Sequence, residues 1–255
     1  MDGVRVGLDG AVALITLDRA ANRNALDRAM VDGLAKACRD VEHSAARVAI
    51  LAGAGDKSFS AGGDIAAWSA DTPEDFGRFW VREGHLVFDA LARLRQPLIA
   101  AINGDCLGGG LELAACADYR IAERHARFGQ PESGLGIIPG WSGTQRAVRR
   151  FGSQVVRRMA LFGEVLDAEA ALGVGLVDRV CDKGEGLATA RSLAGDLLSR
   201  SPQATELTKM LINAAEGEER ERVLDAIAGH VAAGSRDLAK GLEAFRNKKK
   251  PDFSG

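Results

Sequence analysis

The sequence predicts an α/β protein, a core of mainly parallel strands alternating with helices, followed by an all-helical C-terminal region. Two observations carry this reading. The unit helix, apolar strand, glycine-rich loop, helix occurs twice before Asp118, and strands separated by helices pair in parallel, with ligands gathering beyond their carboxyl ends. From residue 186 to residue 247 only helical periodicity remains, which predicts helices without strands. The expected division is a core over residues 1–185 and a helical region over 186–255.

The elements follow in order. Residues 4–8 and 12–17 alternate around Asp9-Gly10, a DG turn between strand-like runs and hence an opening hairpin. Residues 27–43 carry Met30, Leu34, Ala37, Cys38 and Val41 at helical spacing, and Val48, Ala49, Ile50 and Leu51 form a short apolar run suited to a buried strand. The loop GAGDKSFSAGGD follows, then an amphipathic pattern over 73–95 that Pro97 stops. A second buried strand is expected at 98–102 and a second strand-to-helix loop at GDCLGGG. Leu111, Leu113, Ala114, Ala115, Cys116 and Ala117 leave no polar face, so that helix should be buried all round.

Composition removes several function classes. The 255 residues carry a formal net charge of -2, which gives no reason to expect nucleic acid or an anionic membrane as the main partner. No apolar run approaches the roughly 20 residues of a membrane span. The opening MDGVRVGLDG resembles neither a secretory nor an organelle leader. Cys38, Cys106, Cys116 and Cys181 are scattered and fit a reducing cytoplasm. His43, His85, His125 and His230 are far apart and make no zinc pattern. The glycine-rich stretches do not match GxGxxG, no GK[ST] occurs, and neither Ser133 nor Ser142 lies in GxSxG; nucleotide and hydrolase-elbow readings are unsupported.

One carboxylate stands out. Glu112 follows Gly108, Gly109 and Gly110 at the head of the apolar helix. Desolvating an ion inside a protein costs several kcal/mol, and a helix N-terminus returns up to about 2. For a lone Glu, bonding in the first turn or an Arg partner would be the ordinary explanation. Its company changes that. In SFSAGGDIAAW, Gly62 and Gly63 follow a strand and precede an expected helix that starts at Asp64, and GDCLGGGLEL repeats the arrangement. Two such turns face to face would offer two N–H donors to an oxyanion. A second carboxylate, Glu132, directly follows Pro131 in a loop, where a Glu is most often a solvated turn residue.

Together these stretches closely resemble the crotonase superfamily of enoyl-CoA hydratases and isomerases. The resemblance runs through RNAL at 23–26, FSAGGDI at 59–65, NGDCLGGGLELAACAD at 103–118, FGQPESGLGIIPGWSGTQR at 128–146 and KGLEAFRNKKKPDF at 240–253. It implies a ββα spiral core with a C-terminal helical oligomerisation region, and a homotrimer or a dimer of trimers. It implies that the backbone N–H groups of Gly63 and Gly109 form an oxyanion hole for an acyl thioester, and that Glu112 and Glu132 flank the reacting carbons and a water. Arg23, Ala25, Leu26, Ala61, Gly62, Asp64, Ile65, Leu107, Pro131, Gly140 and Trp141 fall where family members line the CoA and thioester channel; for each, local packing is the competing account.

The implied activity is reversible syn addition of water to a trans-2-enoyl-CoA. No metal or redox cofactor is implied, CoA being part of the substrate. Another lyase or an isomerase of the same family is the nearest alternative, and a non-catalytic binding or scaffold protein the alternative from a different class. Two positions depart from the family pattern. Trp141 stands where many relatives have a small residue, and Lys240 where an acidic one is common in the last helix. Trp141 and Trp68 are therefore candidates to shape the acyl pocket, or ordinary packing aromatics. The basic tail, with Arg246, Lys248, Lys249 and Lys250, suits CoA phosphates or simply solvent.

Overall fold

The computed structural model describes residues 3–253. The expected hairpin is formed by β1 (Gly3–Asp9) and β2 (Val12–Asp18), antiparallel with Asp9 opposite Val12. Helix α1 (Arg28–Glu42) is started by Asp27, whose side chain accepts from the Met30 N–H at 2.8 Å, and it buries the apolar stripe seen in the sequence. β3 (Val48–Gly53) returns parallel to β2.

The run 73–95 is not one continuous helix. It begins as α2 (Pro73–Asp75), capped by Thr72, widens into a π-helical turn (Phe76–Val81) and continues as α3 (Arg82–Ala92). Within the wide turn Trp80 is buried and Phe79 exposed. The helix stops short of residue 95 because Pro97 cannot continue it and the preceding residues bond the end of α1: Arg95 N–H donates to Glu42 Oε2 at 3.1 Å and Gln96 Nε2 to the Val41 carbonyl at 2.8 Å.

β5 (Leu98–Ile102) and β7 (Tyr119–Glu123) extend the parallel sheet, and β10 (Arg179–Cys181) closes it in the order β1-β2-β3-β5-β7-β10. β3 and β5 read as unbroken apolar runs because both faces are covered. Ala49 and Leu51 of β3 point into the main core, whereas Val48 and Ile50 pack with Ile99, Ile121, Ala190 and Ala194 on the other side.

A second sheet was not anticipated. β4 (Ser58–Ser60), β6 (Asp105–Leu107), β8 (Arg127–Gly129) and β9 (Leu166–Asp167) form it in that order. Strands of two or three residues carry no alternation to read. Their arrangement nevertheless decides the site: β4 and β6 are parallel neighbours, with Ser60 beside Cys106, so both glycine loops emerge side by side at the carboxyl ends of adjacent strands. After the first loop there is one 3-10 turn (Ile65–Ala67), not the expected α-helix; Asp64 accepts from Ala66 N–H at 3.1 Å. After the second comes α4 (Gly109–Ala115), every residue of it buried.

The chain continues through α5 (Gln145–Phe151), α6 (Ser153–Phe162) and α7 (Ala168–Gly173). From Gly186 the described residues are helical: α8 (Gly186–Leu197), α9 (Pro202–Ala215), α10 (Arg220–Ala233) and α11 (Arg236–Arg246). The chain divides into compact units at Glu206 and Leu207. The change to helices at residue 186 thus precedes the division, because α8 buries Ala190 and Ala194 against the large sheet. In the second unit Ser235 caps α11 by accepting from Leu238 N–H at 3.2 Å. No helix among the described residues is long and apolar enough to cross a membrane.

Candidate active site

The two glycine loops touch through their backbones. Gly62 has φ 94°, and a Cβ there would lie 2.8 Å from the Leu107 carbonyl oxygen and 3.1 Å from Gly109 N. Gly108 has φ 51°, and its Cβ would lie 2.8 Å from Glu132 Oε1. Both positions need glycine for conformation and for space. The close approach brings Gly63 N to 3.3 Å from the place a Gly109 Cβ would occupy. Among the described residues, neither the Gly63 nor the Gly109 N–H donates to a protein acceptor, so two neighbouring donors are available to a ligand.

Glu112, on the first turn of α4, is 3 % exposed. It does not bond its own helix start. Its Oε1 accepts from the backbone N–H groups of Trp141 at 2.7 Å and Gly143 at 2.6 Å. Between those donors Ser142 adopts φ 78°, a left-handed step that lets successive N–H groups converge on one anion. The conformation is costly for a non-glycine residue, and Ser142 is buried, its Oγ accepting from Arg146 N–H at 3.1 Å. Burial first, and the nearby Glu132 after it, push the Glu112 carboxyl up to about 8, against the pull of the two N–H bonds and of Arg146. Arg146, itself buried, pairs with Asp89 at 2.6 Å.

Glu132 opens a 3-10 turn (Glu132–Leu135) and is also buried, not the solvated residue that its loop position suggests. Burial raises its carboxyl above the ordinary range. Its Oε2 has no hydrogen-bond partner in the protein. An unpaired buried carboxylate oxygen facing a cavity is a group held for something else.

Gly63, Gly109, Glu112 and Glu132 line one cavity of about 120 Å³, together with Ala61, Gly62, Ile65, Pro131, Gly140 and Trp141. The remaining residues implied by the resemblance lie outside that wall. Leu26, fully buried, brackets the first loop: its N–H donates to the Gly62 carbonyl at 2.8 Å and its carbonyl accepts from Asp64 N–H at 2.8 Å. The exposed Arg23 gives its carbonyl to Ala61 N–H at 3.0 Å, Ala25 and Leu107 are half-buried, and Asp64 pairs with Arg19 at 2.6 Å.

Sequence reasoning missed part of the wall. Gly108, Phe76, Trp80, Val81, Leu135, Ile137 and Ile138 also line the cavity. Phe76, Trp80 and Val81 belong to the π-helical turn, and nothing in a helical periodicity signals which way such a turn faces. The chain's three tryptophans, Trp68, Trp80 and Trp141, all border the cavity. The Trp141 ring packs on Trp80 at 4.8 Å and on Phe88 at 4.9 Å between centroids, and its Nε1 donates to the Trp80 carbonyl at 3.0 Å.

Comparison with known proteins shows the family. Residues 7–255 match the family model described as Enoyl-CoA hydratase/isomerase. The chain is 36% identical over 248 residues to a crotonyl-CoA hydratase of Syntrophomonas wolfei, covering 95% of this chain and 94% of that one. It is 38% identical to a short-chain-enoyl-CoA hydratase of Clostridium acetobutylicum, covering 84% and 82% respectively. Its fold superposes on the crystal structure of an enoyl-CoA hydratase from Bacillus anthracis with a TM-score of 0.79, at 31% identity and 99% coverage of each chain. The glycine loops and the two buried carboxylates are thus set in a chain that belongs to the enoyl-CoA hydratase/isomerase family, within the crotonase superfamily.

Proposed function

We propose that the protein is an enoyl-CoA hydratase, a hydro-lyase that adds water reversibly and syn to a trans-2-enoyl-CoA to give the 3-hydroxyacyl-CoA. The observation that carries this is the pair of buried carboxyls, Glu112 and Glu132, facing one cavity beside two unpaired backbone N–H groups. Burying two carboxyls together is expensive, and a purely binding or scaffold role would gain nothing from it. Relatives printed as crotonyl-CoA and short-chain-enoyl-CoA hydratases support the same reading.

The thioester oxygen accepts from Gly63 and Gly109 N–H. As electron density moves onto that oxygen C2 becomes enolate-like, and each aimed donor lowers the barrier by about 2.7–4 kcal/mol. Water bound at Glu112 delivers its hydroxyl to C3, and a proton reaches C2 from the carboxyl pair. The proton that C2 gains is replaced by the one water loses, so the pair ends with the proton count it began with. Mutual repulsion and burial keep a proton on the pair near neutral pH, which supplies one acid and one base. No metal or redox cofactor enters this scheme. The protein would work in the cytoplasm, consistent with four buried free thiols, as a homotrimer or a dimer of trimers.

The test is the ultraviolet absorbance of crotonyl-CoA. Addition of enzyme should remove the enoyl thioester band, with 3-hydroxybutyryl-CoA as product. Absence of any loss across a panel of enoyl-CoAs would refute the assignment. Light scattering on the eluting peak checks the oligomer, a monomer being the contrary result.

A further inference from the structure

Resting on the hydratase reading, we infer that the acyl pocket admits short, unbranched 2-enoyl chains of about four carbons and that Trp80 and Trp141 set this limit. The argument begins with space. The cavity of about 120 Å³ includes the room next to both glycine N–H groups and both carboxyls. An enclosed apolar cavity of about 150 Å³ holds benzene, so the walled part of this open-mouthed cavity, about 120 Å³, has room for about five heavy atoms. A crotonyl group, counted as its carbonyl oxygen and carbon chain, already takes about that much room before the added water is counted.

The position of the wall agrees. A Cβ on Gly109 would lie 3.0 Å from the Trp141 ring, and one on Gly63 would lie 3.3 Å from the Trp80 ring. The two indoles therefore stand against the very loops that hold the thioester oxygen. A chain leaving that carbonyl meets aromatic carbon within its first few atoms.

Nor can the wall easily recede. Trp141 is fixed by its Nε1 bond to the Trp80 carbonyl, by the buried Phe88 behind it and by its own N–H bond to Glu112. The ring lies so close to α3 that a Cβ on Gly84 would be 2.2 Å from Nε1. Swinging the indole aside to admit a longer tail would break the bond to Trp80 and leave a void over Phe88, whereas replacing an indole by a smaller side chain opens space at once.

The experiment is a chain-length series, kcat/KM for crotonyl-, hexenoyl-, octenoyl- and decenoyl-CoA, on the parent, Trp80→Leu and Trp141→Leu. The parent should lose about tenfold or more from crotonyl- to hexenoyl-CoA. Each folded variant should raise the octenoyl-to-crotonyl ratio by about tenfold or more. A parent that handles decenoyl-CoA within about threefold of crotonyl-CoA, or folded variants with an unchanged ratio, would overturn the inference. If neither variant folds, the parent series decides. Binding of saturated butyryl-CoA and decanoyl-CoA to the parent needs no turnover and separates the two readings: preference for butyryl-CoA without hydration of any enoyl-CoA would refute the activity and uphold the pocket, and equal binding would overturn the pocket.

Discussion

The N–H of Gly143 donates to Glu112 Oε1 at 2.6 Å, and a Cβ on Gly143 would lie 2.7 Å from that same oxygen. The bond and the missing side chain are one requirement: the loop approaches the carboxyl edge-on, with no room for anything but hydrogen. The other neighbours are no more yielding, since the added carbon would meet Pro139 Cβ at 2.6 Å and Gln130 Nε2 at 2.7 Å. Gln130 also donates to the Gly143 carbonyl at 2.7 Å and so holds the loop from the opposite side.

Gly143→Ala should therefore displace Glu112 while leaving the fold intact. A misplacement of about 1 Å costs about 10²-fold in rate, and overpacking costs about 1–3 kcal/mol in stability. Turnover of crotonyl-CoA and a thermal melt measure the two effects together. A folded variant within about threefold of the parent rate would show that this loop does not position the carboxyl.

The role assigned to Gly109 is tested by a pair of substitutions. Alanine and proline both add a Cβ, which at this position lies 3.0 Å from the Trp141 ring. Only proline removes the N–H, and Gly109 is the first residue of α4, where proline is tolerated. Gly109→Pro should lose about 10²-fold to 10³-fold in kcat beyond whatever Gly109→Ala loses. Equal losses would mean that the ring contact, and not the donor, is what matters.

Much of this site was legible in the sequence because its parts lie in contiguous motifs. The Glu112 puzzle could be posed from GGGLE, but the ordinary first-turn explanation gave way only to its company, the second glycine loop and Glu132. What could not be read was its partner. Trp141 and Gly143 lie 29 and 31 residues downstream and act through backbone N–H groups, which no side-chain pattern announces. The centre of the large sheet was readable because β3 and β5 are apolar runs between helices, whereas β7, which carries Arg120 and Glu123, and the three-residue β10 give no such run and were not read as strands. The small sheet, which aligns the two glycine loops, was not, because strands such as Ser58–Ser60 and Asp105–Leu107 are too short for a period. Trp80 was hidden for a different reason: helical spacing suggests one regular helix, and a π-helical turn changes which side chains face inward.

If Glu112 and Glu132 share one water and one proton, their losses must not multiply. Glu112→Gln and Glu132→Gln should each lower kcat for crotonyl-CoA hydration by about 10²-fold to 10⁴-fold. The double variant should fall well short of the product of the two. An isomerase would behave otherwise, leaning on a single carboxyl, with Glu132→Gln abolishing double-bond migration and Glu112→Gln largely sparing it. Hydration at the parent rate by Glu112→Gln would end the present account of that residue.

The raised Glu112 carboxyl makes a further prediction that needs no substrate. Its ordinary value of 4.5 is pushed up to about 8 in the folded protein, so between those limits the folded state holds a proton that the unfolded state releases. Stability from this group is then fully present below about 4.5, falls as pH rises, and is lost above about 8. Glutamine is neutral throughout and can keep its amide oxygen on the Trp141 and Gly143 N–H groups. The Tm of Glu112→Gln relative to the parent should therefore rise from about pH 5 to about pH 8 and level off above it, since only the parent is forced to ionise a buried carboxyl. Titrating groups remote from the pair are common to both proteins and cancel in the difference, whereas Glu132, whose charge helps to raise Glu112, contributes to it. Parallel thermal melts across that range supply the measurement, and a flat difference would mean that Glu112 ionises in the folded protein as easily as in water.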